Sequence, residues 1–117
     1  MLKTQCKSIL GAALLFVVLL ASSSARAQDT NLQNAKNYFD EGQNLYIQAK
    51  YAEAAEQFLK AYEARGFPAF LFNVAVCYEK NRDFAKALQN YERYIQEDPQ
   101  SADSKLVLAR IQSIRIH

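Results

Sequence analysis

The feature that most constrains the fold of this chain is an internal repeat with a spacing of 33 residues. When the sequence is shifted by 33 positions, residues of similar size align at nearly every key position. The aligned pairs are Gly42 with Ala75, Leu45 with Tyr78, Tyr51 with Phe84, Ala54 with Ala87, Phe58 with Tyr91, and Ala61 with Tyr94. A period in the thirties is typical of solenoids, in which each unit buries its apolar face on the next. We therefore predict two repeats, at residues 35–67 and 68–100.

Each repeat predicts two helices joined by a tight turn. Its apolar residues recur at helical spacing, and no alternating strand pattern is present. The positions are Tyr38, Gly42, Leu45, Ala54, Phe58 and Ala61 in the first copy, and Leu71, Ala75, Tyr78, Ala87, Tyr91 and Tyr94 in the second. Connections as short as 49–51 and 82–84 force antiparallel neighbours. The predicted class is all-α, with antiparallel helical hairpins.

Small residues inside the predicted helices indicate close contacts between helices. Glycine in a helix costs about 1 kcal/mol relative to alanine. We therefore expect a partner helix to pass close to Gly42, and the same explanation suits Ala54 and Ala87. Gly66 and Pro68 separate the two copies, and Asp98-Pro99 ends the second.

The second copy resembles the tetratricopeptide repeat family. The resemblance rests on Phe72-Asn73-Val74-Ala75, Tyr78, Asp83-Phe84, Ala87, Tyr91 and Asp98-Pro99. The first copy departs from the family pattern because Gly66 replaces the usual proline and the period is one residue shorter than about 34. The resemblance implies a short right-handed solenoid that binds another protein without catalysis.

In the family that the chain resembles, the first helix of each hairpin lines a concave groove for a peptide or helix of a partner. The matching positions here are Lys36, Phe39, Asp40, Gln43 and Tyr46 in the first copy, and Ala69, Phe72, Asn73, Val76 and Lys80 in the second. Aromatic rings suit side-chain pockets, and amides suit hydrogen bonds to a peptide backbone. Alternatively, the rings only pack within the groove. Only Asn73 occupies a position of the family's carboxylate clamp, so a chaperone-type clamp is not expected.

Residues 101–117 predict one amphipathic helix, with Val107, Ile111 and Ile114 among its apolar positions. Solenoid ends expose apolar faces, and a terminal helix of this kind can cap them. The alternative is self-association as a homodimer, with Ile114 and Ile116 docking on a second copy, because two repeats are fewer than the roughly three that usually make a stable stack.

Residues 1–27 predict a signal peptide. Two lysines precede an uncharged apolar run of 13 residues, Ile9–Ala21, and small residues end at a predicted cleavage site after Ala27. The run is shorter than the roughly 20 residues that span a bilayer. Residues 28–34 then lead to the first repeat. We predict export to a bacterial periplasm or cell envelope without membrane insertion after cleavage, and an uncleaved signal anchor is the alternative.

The charge of the predicted mature chain is nearly balanced. Cleavage removes three of the 14 basic residues and none of the 12 acidic ones, which leaves a net charge of −1. No extended positive face is predicted, so neither nucleic acid nor an anionic membrane is favoured as a partner.

The sequence predicts no catalytic site, metal site or cofactor. After cleavage the chain has one histidine, His117, and one cysteine, Cys77, which are too few for a closed zinc site. A terminal histidine is also poorly placed to activate a nucleophile. We predict Cys77 to be a buried apolar group, with a redox role or an intermolecular disulfide as the alternative. The predicted function is a non-enzymatic adaptor, and the alternative is a structural subunit that self-associates through its apolar ends.

Overall fold

Five helices make up the fold of residues 2–117. The computed structural model describes the backbone of residues 2–117 and the side chains of residues 24–117. The helices are α1 (Leu2–Ile47), α2 (Tyr51–Ala64), α3 (Pro68–Lys80), α4 (Phe84–Glu97) and α5 (Ser104–Ile116). Residues 2–117 contain no strand. The predicted all-α fold, a short solenoid of helical hairpins, is confirmed.

Two compact units divide the chain, residues 1–32 and residues 33–117. Residues 28–34, which were predicted to lead to the first helix, are part of α1. Most side chains of the predicted signal peptide lie outside the described residues, so this segment stays a prediction. Within the described residues, no helix has the length and apolar character needed to span a membrane.

The sequence repeat is also a repeat of helix ends. Helices α2 and α4 begin at Tyr51 and Phe84 and end at Ala64 and Glu97, so both pairs of ends are separated by the 33-residue period. The C-terminal ends of α1 and α3, Ile47 and Lys80, are also 33 residues apart. Helices α2 and α3, α3 and α4, and α4 and α5 pack as consecutive neighbours. The period in the sequence therefore reports the stacking of equivalent hairpins.

Both hairpins turn through the same backbone motif. Ala49 and Arg82 have positive φ angles of 60° and 63°. Around Ala49, two amide N–H groups donate to carbonyls at the end of α1: Ala49 to Tyr46 at 2.9 Å and Lys50 to Leu45 at 3.0 Å. The turn at Arg82 repeats this pattern, with amide donors in Arg82 and Asp83 and carbonyl acceptors in Glu79 and Tyr78. This is the Schellman motif, which caps the helix and reverses the chain in a few residues.

The core consists of two clusters that share α3. The first contains Ala54, Ala55, Phe58, Val74 and Cys77, with side chains of α1 packed against it. The second contains Leu71, Ala75, Ala87, Tyr91, Tyr94, Val107 and Ile111. Helix α5 thus contributes Val107 and Ile111 to the core of its own chain, and Ile114 packs against the same cluster.

Tyr38 differs from the sequence pattern, which placed it with Gly42 and Leu45 on the packing face of α1. Its side chain is exposed, and the ammonium group of Lys60 lies 5.9 Å from the centre of its ring. The buried position in this turn of the helix is Ala35. Tyr38 therefore lies at the edge of the α1–α2 contact, where the Lys60 ammonium group faces its ring.

Candidate functional site

A cavity of about 390 Å³ lies between α1 and α3, and Phe58 of α2 contributes to its wall. We call it the α1–α3 groove. Its lining is mostly apolar and consists of Phe39, Gln43, Tyr46, Ile47, Phe58, Phe72, Asn73, Val76 and Cys77. Residues spaced three or four apart share a face of a helix, so α1 and α3 each present a row of side chains to this space.

The structure brings together six of the eight residues predicted for the site. They are Phe39, Gln43, Tyr46, Phe72, Asn73 and Val76. Lys36 does not line the groove, and its ammonium group donates to the Asp40 carboxylate at 2.6 Å. Lys80 lines a neighbouring cavity instead.

Three lining residues were not predicted from the sequence: Ile47, Phe58 and Cys77. Ile47 is 81% exposed at the end of α1. It is the repeat equivalent of Lys80, so the 33-residue period itself could have placed it on this face. Phe58 and Cys77 are buried core residues whose edges reach the groove. No pattern in the sequence predicts that part of each side chain borders this space.

The aromatic rings of the groove also pack the core. The ring of Phe39 lies 5.5 Å from the ring of Phe58 and 5.9 Å from that of Phe70. The ring of Phe72 lies 6.1 Å from the Tyr91 ring. Such aromatic pairs contribute about 0.5–1.5 kcal/mol beyond the burial of their area. The rings therefore line the groove and pack the core at the same time, and their contact with a partner stays a prediction.

Two amide side chains interrupt this apolar surface, Gln43 from the first repeat and Asn73 from the second. Within residues 24–117, neither amide group forms a hydrogen bond. By contrast, the buried amide of Asn90 donates to the Lys86 carbonyl at 2.8 Å, so it is a structural group. Gln43 and Asn73 keep their donors and acceptors available to a molecule in the groove.

A second cavity, of about 660 Å³, shares the side chains of Tyr46 and Val76 with the α1–α3 groove. We call it the basic cavity, because three of its lining residues are cationic. Its remaining lining residues are Glu79, Lys80, Arg82, Phe84 and Arg110. The two cavities are therefore adjacent along α3.

The repeats match a known family over more than half of the chain. Residues 39–102 of the 117 fit the family described as tetratricopeptide repeat. The chain belongs to the tetratricopeptide repeat family. Tetratricopeptide repeats generally mediate protein–protein interactions and are generally non-enzymatic. No curated protein matches this tetratricopeptide repeat protein.

A hydrogen-bonded group ties the basic cavity of this tetratricopeptide repeat protein to its core. The buried Tyr91 hydroxyl donates to the Glu79 carboxylate at 2.6 Å, and the Arg110 guanidinium donates to the same oxygen at 2.9 Å. Burial, and then the hydrogen bond to Glu79, raise the pKa of Tyr91. Burial lowers the pKa of Arg110, but the bonds to Glu79 and Tyr91 outweigh it and the net shift is upward. Tyr91 therefore stays protonated and Arg110 stays charged.

Cys77 is a buried apolar group, as predicted. It is 1% exposed and forms no disulfide within the described residues. Burial raises the pKa of its thiol to about 12, so the thiolate that nucleophilic chemistry requires is disfavoured at neutral pH. The described side chains also contain no group of three or more His, Cys, Asp or Glu residues that could hold a metal ion.

Proposed function

We propose that this tetratricopeptide repeat protein is a non-enzymatic adaptor that binds an extended segment of a partner protein in the α1–α3 groove. One observation carries the proposal. An apolar cavity of about 390 Å³ is lined from both repeats, and each repeat adds an amide with no bond to the described side chains. Apolar pockets with a few polar groups are typical of peptide-recognition surfaces.

The two amides favour an extended segment over a helix. The backbone groups of a helix bond to one another, so amides in a groove gain little from them. An extended segment keeps its N–H and C=O groups available, and an amide side chain can donate to one and accept from the other. Gln43 and Asn73 would fix the register of such a segment while its apolar side chains fill the space between the rings.

The proposed location is a bacterial periplasm or cell envelope. It is supported by the three-part pattern of residues 1–27, in which lysines, a short apolar run and small residues follow one another. Cleavage after Ala27 would leave residues 28–117 as the mature chain. The partner would then be another exported or envelope protein.

Crosslinking in intact source cells tests the proposal. A tagged copy with its own N-terminal segment is crosslinked and purified, and mass spectrometry identifies both the captured proteins and the mature N-terminus. Gln43→Ala and Asn73→Ala should reduce capture of a specific partner at least about tenfold, because two polar groups that position the segment are lost. Asn44→Ala is the matched control, since Asn44 is an exposed amide outside the groove.

Phe39→Ala is a poor probe of binding, although the sequence places Phe39 among the groove residues. The contacts of Phe39 with Phe58 and Phe70 predict a loss of stability along with any loss of binding. The amide substitutions avoid this ambiguity. Partner capture that survives both of them, with the same yield as Asn44→Ala, would show that the groove is not the binding surface.

A second candidate function is a structural subunit that self-associates. It is favoured by the exposed apolar side chains of α5, since Leu106, Leu108 and Ile116 are 51%, 52% and 72% exposed. Sedimentation velocity over a hundredfold range of concentration would reveal a dimer. A dimer that Leu106→Lys and Leu108→Lys disrupt, together with crosslinks only between copies, would support this candidate over the adaptor.

A further inference from the structure

The basic cavity continues the α1–α3 groove along a single face of α3. Phe72, Val76 and Lys80 follow one another at four-residue intervals, so their side chains lie in a row. At about 1.5 Å per residue, roughly 12 Å separate Phe72 from Lys80. The shared lining residues Tyr46 and Val76 mark the point where the apolar surface gives way to the charged one.

Two cations in the basic cavity are not neutralised by the chain. Arg110 is paired with Glu79 at 2.9 Å, which leaves Lys80 and Arg82. Both are exposed, and neither forms an ion pair within the described part of the chain. Four other exposed bases have acidic partners, in the pairs Lys36–Asp40, Lys86–Asp83, Arg93–Glu97 and Arg115–Glu92. Lys50, Lys60 and Lys105 are also exposed without an ion pair among the described residues, but none of them lines either cavity.

This positive charge is local. Residues 28–117 carry one more acid than base, and no acidic residue lines the α1–α3 groove. The one acid of the basic cavity, Glu79, already accepts from both Tyr91 and Arg110. A ligand that extends from the groove toward the end of α3 therefore meets an uncompensated positive surface, which complements negative charge.

We propose that the segment bound in the groove is acidic. An apolar side chain of the segment fills the α1–α3 groove, and one or two of its carboxylates bind Lys80 and Arg82. An extended chain rises about 3.3 Å per residue, so the distance of roughly 12 Å places the acids three to four residues from the apolar anchor. This inference rests on the proposed function, since it specifies the partner of the same groove.

The test is a selection of random twelve-residue peptides displayed on phage against the purified full chain, expressed with its own N-terminal segment. Enriched peptides should contain a large apolar residue with Asp or Glu three or four positions away. The same selection against Lys80→Gln/Arg82→Gln should enrich the apolar residue without the acids. Lys60→Gln/Lys105→Gln is the control, because it removes two positive charges from exposed sites outside both cavities.

An enriched peptide is then synthesised with both termini blocked, once with its acids and once with glutamine in their place, and binding is measured by fluorescence anisotropy. The acidic form should bind about three- to tenfold more tightly, which is the range expected for exposed ion pairs. This difference should disappear in Lys80→Gln/Arg82→Gln and at high salt, where exposed charges are screened.

The possible failures are distinct. If the acidic and glutamine peptides bind equally well, and Asn73→Ala abolishes the binding of both, the preference for acids is refuted. The proposal that the groove binds the segment then still stands. Peptides enriched for acids without an apolar anchor, and insensitive to Asn73→Ala, would refute the groove. Selection of no peptide at all would refute both proposals. Binding that is lost when the carboxyl terminus of the peptide is blocked would refute the role of internal acids. It would show that a terminal carboxylate is recognised instead.

Discussion

A methyl group on the α-carbon of Gly42 would lie 2.8 Å from Cε1 of Phe58, closer than carbon atoms in contact normally approach. Phe58 is 4% exposed, and its ring also contacts the ring of Phe39. The ring can relieve such a contact only by shifting from its place against Phe39 toward the groove that it borders. Gly42 allows α1 and α2 to approach closely, and that approach places Phe58 in the wall of the α1–α3 groove.

Gly42→Ala should lower the stability of the protein. Alanine gains about 1 kcal/mol of helix propensity, but forcing a group into a packed contact costs about 1–3 kcal/mol, so we expect a net loss of about 1 kcal/mol. Urea denaturation measures this difference. Gly66→Ala is the matched control, because a methyl group there meets no atom within 4 Å. Equal effects of the two substitutions would show that the contact with Phe58 is not tight.

The turns of the two hairpins predict a stabilising substitution, Ala49→Gly. Ala49 has a φ of 60°, which costs an L-residue roughly 1–2 kcal/mol relative to glycine. Glycine loses more backbone entropy on folding, about 0.4–1 kcal/mol, so the expected net gain is about 0.5–1 kcal/mol in chemical denaturation. Ala109→Gly, at an exposed position in the interior of α5, should instead lose about 1 kcal/mol. Loss of stability in both variants would contradict the assigned turn.

The helices and turns could be predicted from the sequence because they depend on local rules. Periodicity locates the helices, and the 33-residue spacing relates Tyr51 to Phe84 at their starts. Six groove residues followed from the same helical periodicity combined with the family resemblance. The position of Phe58 in the groove wall could not be predicted in this way, because it depends on how closely α1 approaches α2. The bond between Tyr91 and Glu79 likewise joins residues of different helices, and no spacing rule connects them.

Two tyrosine–glutamate hydrogen bonds of equal length should differ in their effect on stability. The Tyr91–Glu79 bond and the Tyr62–Glu97 bond both measure 2.6 Å, but Tyr91 is fully buried and the other pair lies on the surface. Tyr91→Phe should cost about 1–3 kcal/mol, since it removes a donor from a part-buried carboxylate. Tyr62→Phe should cost less than about 0.5 kcal/mol, because water replaces the lost partner. Thermal and urea unfolding of both variants would measure the difference, and equal costs would contradict the burial of the Tyr91 group.

Burial of Cys77 predicts a specific loss of stability at high pH. The pKa of the thiol is raised to about 12 in the folded protein, whereas an unfolded cysteine has a pKa of about 8.5. The unfolded chain therefore loses this proton first. The stability associated with the neutral thiol is complete below about pH 8.5 and declines as the pH rises toward the folded value. Tyr91 and Tyr62, whose pKa values are also raised, contribute in the same direction.

Comparison with Cys77→Ala isolates the thiol from the tyrosines. The variant keeps Tyr91 and Tyr62, so their contribution cancels when its free energy of unfolding is subtracted from that of the wild type. We expect the wild type to be the more stable at pH 7, because alanine leaves a small cavity. That advantage should shrink by about 1 kcal/mol or more between pH 8 and pH 10.5, measured by urea denaturation under reducing conditions. Parallel curves over this range would mean that the thiol ionises as readily in the folded protein, and Cys77 would then be accessible from the groove.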